Sequence, residues 1–252
     1  MIDVQIRDCL VREYLDETNE VLNDSDVALG NVSSDTSKAS LEFLRLFGAF
    51  SVLRVQGRGL ETTLLVITLQ RFCEYLDNLQ IAEQKIISDL QFYSSTLHDI
   101  VANDRTEVDI RTFSRSLPVH TPVDMNNIVQ VDGEIMPIEP NKTVAKLVSR
   151  GLRACGYRVT TLRGSIDALT YAIRTKPDMI IASAELNGIN GIDIACAIGT
   201  MPLMQKIPSA LLTIRDRDHD ALRELPETSA VLKKGGKFGD DPSDALAQFD
   251  VL

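Results

Sequence analysis

Hydrophobic positions in the first hundred residues recur three and four apart, which is the spacing of an amphipathic helix. In residues 7–22, "RDCLVREYLDETNEVL", this spacing is followed by Leu10, Val11, Tyr14, Leu15, Val21 and Leu22. Further helices are predicted near residues 38–55, 61–79 and 82–101, and "NDSD" and "NVSSDTS" supply breaks and cap candidates between them. Four helices with short connections predict a four-helix bundle over residues 1–103.

The second half of the chain has a different rhythm, in which short apolar runs alternate with helical stretches. Residues 104–127 lose the helical spacing and collect Pro, Ser and Asn, so we interpret them as a linker. From residue 128 to 252 the pattern predicts five strands, with "MIIA" as a buried one, and five helices that include residues 218–225 and 242–249. This alternation predicts a doubly wound, five-stranded parallel sheet. Residues 128–138, "IVQVDGEIMPI", resemble a hairpin with an Asp-Gly turn, and its first half has no obvious place in such a sheet.

Composition narrows the functional classes. The net charge of −10 and the pI near 4.8 disfavour a general nucleic-acid binder, which needs a basic face to displace counterions. No run reaches the roughly 18 apolar residues of a membrane span, and the first residues do not have the pattern of a signal peptide. The four cysteines are far apart without metal-ligand spacing, which favours a reducing cytoplasm.

Residues 135–251 resemble the receiver domain of two-component response regulators, most clearly in "KPDMIIASAELNGINGIDIACAI". In that family an acidic pair ends the first strand and binds Mg²⁺, and an aspartate ends the third strand and takes phosphate from a phosphohistidine. A Thr or Ser ends the fourth strand and a Lys the fifth. Carried onto this chain, the resemblance matches the acidic pair to Glu139-Pro140, the phosphoacceptor to Ser183, the hydroxyl to Thr213 and the lysine to Lys233. Asp132 stays open as an alternative end of the first strand.

The serine at the phosphoacceptor position changes the expected chemistry. Ser183 is a neutral alcohol with no predicted histidine base beside it, and Mg²⁺ prefers anionic oxygen ligands, of which the pocket offers Glu139 and at best Glu185. We therefore expect a pseudo-receiver that binds no cofactor and is not an enzyme. Phosphorylation of a surrogate acceptor, Glu185 or Glu139, stays open. We expect Thr213 to cap the next turn and the lysine to neutralise Glu139.

Residues 4–103 more loosely resemble the histidine phosphotransfer (HPt) domain. "FLRLFGAFSVLRVQGRGL" is similar to the active helix of that family, with Phe47 at the Phe position, Ser51 at the histidine and Arg54 at the lysine. No histidine precedes His98, which we interpret as an ordinary helix residue, so phosphoimidazole formation is not expected. Ser51 is predicted to lie on the solvent side of its helix.

Taken together, these resemblances imply a non-catalytic phosphorelay protein that docks a histidine kinase, a phosphotransfer protein or a response regulator. The docking surface is predicted to include, in part, Leu222, Leu225, Val231 and Leu232, with Lys233, Lys234 and Lys237 at its margin. Of these, the strand residues Val231 and Leu232 are expected to pack inward. Two alternatives stay open, a working phosphorelay member with a surrogate acceptor and a helical-bundle scaffold that forms a homodimer. No nucleic acid or membrane partner is expected.

Overall fold

The computed structural model describes residues 2–60, 62–77, 79, 81–103, 108–120 and 131–234. The chain divides into two compact units, Met1–His120 and Thr121–Leu252. The first unit is helical and the second contains a five-stranded sheet. Within the described part of the chain, no helix is both long and apolar enough to cross a bilayer.

The helices of the first unit pack around one apolar core. Their bounds are α1 Ile2–Ser34, α2 Ala39–Gln56, α3 Thr63–Leu76, α4 Gln84–Ala102 and α5 Ile110–Ser116. The centre of the core is aromatic: the rings of Phe50 and Phe72 lie 4.7 Å apart and those of Phe72 and Tyr93 4.9 Å apart. Aromatic pairs at such distances add to the stability that burial provides.

Helix α1 continues through "NDSD", where the sequence pattern predicted a break. Its inward face stays apolar or small past that point, with Leu22, Ser25, Ala28, Leu29 and Val32 all buried. The Ser25 hydroxyl donates to the Leu22 carbonyl inside the helix at 2.7 Å. A serine that satisfies its hydroxyl in this way does not end a helix.

Part of the predicted linker belongs to the helical unit. Asp109 caps α5 by accepting from the backbone amides of Arg111 and Thr112. Leu117 is 1% exposed in the core, and the Tyr93 hydroxyl donates to the Pro118 carbonyl at 2.7 Å. One buried leucine and one tyrosine contact thus attach a segment whose Pro-rich composition indicated a linker.

The second unit confirms the predicted α/β fold, a doubly wound parallel sheet with a flavodoxin-like strand order. The strands are β1 Glu134–Ile138, β2 Arg158–Val159, β3 Met179–Ser183, β4 Ser209–Thr213 and β5 Ala230–Lys233, and the helices between them are α6 Lys142–Ala154, α7 Ser165–Thr175 and α8 Gly191–Thr200. All pairings are parallel, in the order β2-β1-β3-β4-β5. Strands β1, β3 and β4 are buried along their full length, as expected of a sheet covered on both faces.

Three predicted elements of this unit differ or fall outside the described residues. Residues 218–225 form only a 3-10 turn, Asp220–Leu222, rather than a helix. In the predicted hairpin, the Val131 backbone amide donates to the Gly156 carbonyl at 3.0 Å, beside the start of β2. The first residues of that hairpin, 128–130, lie outside the described part of the chain, and so does the predicted helix at 242–249.

Candidate functional site at the carboxyl edge of the sheet

The parallel sheet brings the ends of its strands together at one edge. Strand β3 ends at Ser183 and β4 at Thr213, and Glu139 follows the last residue of β1. Asp132 lies before β1 and therefore at the opposite, amino end of that strand. The open alternative for the end of the first strand is thereby resolved in favour of Glu139.

Lys234 connects two of these side chains. Its ammonium nitrogen Nζ lies 2.9 Å from Oε2 of Glu139 and donates to the Ser183 hydroxyl at 2.7 Å. The other carboxylate oxygen of Glu139, Oε1, accepts from the Asn141 backbone amide at 2.9 Å. The side chains of Glu139 and Lys234 are 2% and 23% exposed, and Ser183 is fully buried. The predicted phosphoacceptor position is therefore a buried hydroxyl beside an ion pair.

The lysine predicted for this site was assigned one residue too early. Lys233 is exposed, and its Nζ donates to Oδ1 of Asp216 at 2.5 Å, outside the cluster. This hydrogen bond lowers the pKa of Asp216. Consecutive side chains of a strand point to opposite faces, so Lys233 at the end of β5 and Lys234 directly after it point in different directions.

Thr213 has a local structural contact. It is 4% exposed, and its hydroxyl accepts from the Arg215 backbone amide at 3.2 Å. Its carbonyl accepts from the Lys234 amide at 2.7 Å, which fixes the backbone from which the Lys234 side chain reaches the cluster.

The loop after β3 approaches the site closely. Asn190 caps α8 by accepting at 2.9 Å from the amides of Ile192 and Asp193. At Gly191 a β-carbon would lie 2.2 Å from the Ser183 carbonyl oxygen, so no larger residue fits without a shift of the backbone. The Ser165 hydroxyl donates to the Asn187 carbonyl at 3.1 Å and holds the same loop from α7.

The donor set does not fit Mg²⁺. Glu139 already accepts from Asn141 and pairs with Lys234, Ser183 supplies a neutral hydroxyl, and Pro140 offers no side-chain ligand. Glu185 is exposed two residues beyond Ser183. Among the residues that the structure describes, no group of three or more His, Cys, Asp or Glu has the arrangement of a metal site. A hard divalent cation needs several anionic oxygens, whereas this cluster has one carboxylate and a fixed ammonium.

Ser51, the position matched to the phosphotransfer histidine, turns toward α3 rather than to solvent. It is half-buried, and its hydroxyl donates to the Cys73 sulfur at 3.6 Å. The outward positions on either side of it are Gly48 and Val52. The predicted solvent-side placement of Ser51 is therefore wrong, because the α2–α3 contact covers one side of this turn.

The three histidines have different surroundings. His98 Nε2 lies 2.9 Å from Oδ2 of Asp26, so the pair joins α4 to α1. The His120 ring meets the edge of Tyr75 at 5.7 Å. His219 accepts from the Ala221 amide at 3.1 Å and caps the 3-10 turn. All three thus make local structural contacts.

The predicted docking surface of the second unit is largely interior. Leu222, Leu225 and Leu232 are 2–4% exposed, and the first two pack with Ala195 and Leu211. Only Val231 is half-buried among the four residues assigned to that surface. The burial of Leu232 is as expected for a strand residue. The burial of Leu222 and Leu225 corrects the prediction, which assumed a helix at 218–225 where the structure has a 3-10 turn.

No family model matches the chain, but two regulatory proteins are similar to part of it. The transcriptional regulatory protein PrrA of Mycobacterium leprae is 25% identical over 91 residues, and the alkaline phosphatase synthesis transcriptional regulatory protein PhoP of Bacillus subtilis is 27% identical over 92 residues. Each match covers 36% of this chain and 38% of the relative, so the chain spans well under half the length of these relatives.

Solved structures that resemble part of the chain include two proteins of two-component signalling. The chemotaxis protein CheY4 of Vibrio cholerae is 18% identical, with 47% of this chain and 98% of that chain covered and a TM-score of 0.43. The receiver domain of a sensor histidine kinase from Pseudomonas aeruginosa, solved with a magnesium ion in its active-site cleft, is 23% identical, with 46% and 97% covered and a TM-score of 0.41. The order β2-β1-β3-β4-β5 of the second unit is that of flavodoxin-like doubly wound sheets.

Proposed function

We propose that the chain is a two-component signalling protein whose receiver-like unit docks partners without accepting phosphate. The observation that carries the proposal is the contact of Lys234 with both Ser183 and Glu139. An ammonium held by the only carboxylate of the cluster stands where the family places a metal beside an aspartate. The pocket keeps its shape with internal contacts and needs neither cofactor nor phosphate.

The second candidate function is phosphorylation of a surrogate acceptor, either Glu139 or Glu185. The surroundings of each carboxylate disfavour it for a different reason. Glu139 is 2% exposed with both oxygens engaged, so a phosphodonor would have to displace Lys234 to reach it. Glu185 is exposed and accessible, but it lies outside the Lys234 cluster that would stabilise a transferred phosphoryl group. Electrostatic stabilisation of that charge supplies most of the catalysis of phosphoryl transfer.

The partners follow from the receiver resemblance, and we propose that they are a histidine kinase, a phosphotransfer protein or a response regulator, met in the cytoplasm. The helical unit, loosely similar to a phosphotransfer domain, would add a second docking module without the histidine chemistry. The two relatives PrrA and PhoP are transcriptional regulatory proteins, but the net charge of −10 disfavours direct contact of this chain with nucleic acid.

The deciding experiment is incubation of the full chain with acetyl phosphate and Mg²⁺, followed by intact-mass measurement. We expect no added phosphoryl group, while a catalytically intact receiver run in parallel is labelled. Labelling that Glu185→Gln or Glu139→Gln abolishes would overturn the proposal in favour of a surrogate acceptor. Co-purification of the chain from cells of its source would then identify the kinase or regulator that it docks.

A further inference from the structure

The outward face of α2 carries a continuous apolar stripe. Between residues 41 and 55 of this helix six residues are exposed, and only Arg45 among them is charged. The other five form what we call the α2 stripe: Leu41, Leu44, Gly48, Val52 and Val55. Its four large side chains are 50–67% exposed. At about 100° per residue, all five lie within an arc of about 80° on the helix.

The α2 stripe is symmetric in sequence about Gly48. Leu44 and Val52 lie four residues to either side of Gly48, and Leu41 and Val55 lie seven residues to either side. If two copies of the helix pack antiparallel with a two-fold axis at Gly48, each leucine faces a valine of the partner. Each pair of facing side chains then consists of one leucine and one valine and has the same total volume. A parallel pair of helices would instead place leucines together at one end and valines together at the other. A two-fold interface requires this kind of self-complementarity.

Gly48 has no reason inside its own unit to be a glycine. A β-carbon placed there would meet no atom within 4 Å, and the backbone is helical. Glycine in an exposed helix interior is destabilising by roughly 1 kcal/mol relative to alanine. A second helix backbone that approaches closely at the centre of the stripe would account for its presence.

The charges beside the stripe do not oppose this approach. Arg45 lies at the edge, and its Nε pairs with Oε2 of Glu42 in the same helix at 3.0 Å. From these observations we propose that the α2 stripe is the interface of a two-fold, antiparallel homodimer of this chain. The inference concerns the helical unit alone and does not depend on whether the receiver-like unit accepts phosphate.

The available area indicates how tight this dimer is. Specific interfaces bury about 800 Å² and use about 20–30 residues per partner. One face of an 18-residue helix supplies fewer residues than that. The dimer is therefore weak and reversible, with a dissociation constant in the micromolar range.

The first test is sedimentation equilibrium of the full chain from about 1 to several hundred micromolar. We expect a monomer–dimer equilibrium that Leu44→Lys and Val52→Glu each weaken at least tenfold. Combining both substitutions in one chain should restore dimerisation to within a few-fold of the original, because antiparallel pairing places the new lysine opposite the partner's new glutamate. Ile6→Glu, at a 54% exposed position of α1, is the matched control and should change nothing.

The variant Gly48→Ala distinguishes an effect on dimerisation from an effect on the stability of the fold. In dilute solution it should raise the melting temperature, as the matched Gly30→Ala in α1 should, since a β-carbon added at either position would meet no atom within 4 Å. At high concentration only Gly48→Ala should weaken the dimer, at least five-fold. A wild-type chain that stays monomeric throughout, or a dimer indifferent to Leu44→Lys, would overturn the proposal and assign the stripe to another partner. Failure of the double variant to recover would exclude the antiparallel arrangement.

Discussion

Lys234 and Glu139 form an ion pair in which the carboxylate is almost completely buried. Lys234 Nζ lies 2.9 Å from Oε2 of Glu139, and the two side chains are 23% and 2% exposed. Removing one partner of such a pair leaves an uncompensated charge in the interior. The pair therefore links the end of β1 to the end of β5 across the two strands between them.

Lys234→Ala should destabilise the second unit through this buried carboxylate. The expected loss is about 3 kcal/mol, the low end for a broken buried pair, because the lysine is partly solvated. Chemical denaturation of the full chain, with peptide-resolved hydrogen exchange on β3, measures it. Lys233→Ala is the control, and we expect no measurable change, since Lys233 is exposed and its Nζ contacts exposed Asp216 and the Ile214 carbonyl, outside the cluster. Equal losses for the two variants would contradict the assignment of the pocket lysine.

Ser183→Asp alone should not create a working phosphoacceptor. The new carboxylate would meet the Lys234 ammonium, and Pro140 still withholds the second acid that Mg²⁺ binding needs. Mass spectrometry after acetyl phosphate and Mg²⁺ should show no labelling above the unaltered chain. Ser183→Asp with Pro140→Asp should be labelled more. Equal labelling of the single and double variants would mean that position 140 does not contribute to the metal site.

The fold of the second unit could be predicted because its determinants are periodic. Apolar runs that alternate with amphipathic stretches favour a parallel sheet, and parallel strands bring their ends to one edge, so Ser183 could be assigned to that edge from the pattern. Glu139 and Thr213 were assigned to the same edge through the resemblance to receiver domains. The pocket lysine could not be predicted, because the choice between Lys233 and Lys234 depends on the residue at which β5 ends, and β5 ends at Lys233. A shift of one residue reverses the side of the sheet to which a side chain points.

In the helical unit, the deviations came from tertiary contacts that local patterns do not encode. "NDSD" contains helix-breaking residue types, yet Ser25 is buried and bonds within α1. Leu117 and Pro118 lie in a polar, Pro-containing stretch, yet Leu117 is buried in the core and the Pro118 carbonyl accepts from the Tyr93 hydroxyl. In these places packing overrides propensity, as it commonly does.

Gly191→Ala should destabilise the site from the side of the β3–α8 loop. The added methyl group would lie 2.2 Å from the Ser183 carbonyl oxygen and 2.7 Å from Cδ1 of Leu211. Such overpacking against backbone should cost about 3 kcal/mol. Gly199→Ala in the same helix has nothing within 4 Å and should be neutral or stabilise by up to about 1 kcal/mol. Denaturation curves that do not separate the two variants would show that the loop yields easily.

Cys73 should be unreactive in the folded chain. Burial raises the pKa of its thiol to about 11, despite the hydrogen bond from Ser51, which lowers it. At pH 8 a disulfide reagent should modify exposed Cys9 quickly and Cys73 only on unfolding. Between about pH 9 and pH 11 the Cys73 thiol of the folded chain stays protonated, whereas that of the unfolded chain, with a pKa near 9, loses its proton. The unfolding free energy should therefore fall as the pH rises from about 9 to 11, and Cys73→Ala should flatten that slope.

Ser51→His tests the environment of the position that the phosphotransfer resemblance assigns to histidine. Ser51 is half-buried against Cys73 of α3, so an imidazole must push the two helices apart or leave the contact. We expect a loss of about 1–3 kcal/mol in the unfolding free energy of the helical unit, measured by denaturation with hydrogen exchange on α2 and α3 peptides. Ser95→His, at an exposed serine of α4, should stay within about ±0.5 kcal/mol.

If both variants lose equally little, the α2–α3 contact at Ser51 is loose enough to admit an exposed histidine, and the resemblance at this position gains support. If only Ser51→His lowers the stability, a functional histidine at this position would need a different packing of α2 and α3. That result would disfavour the idea that Ser51 simply replaced a phosphotransfer histidine.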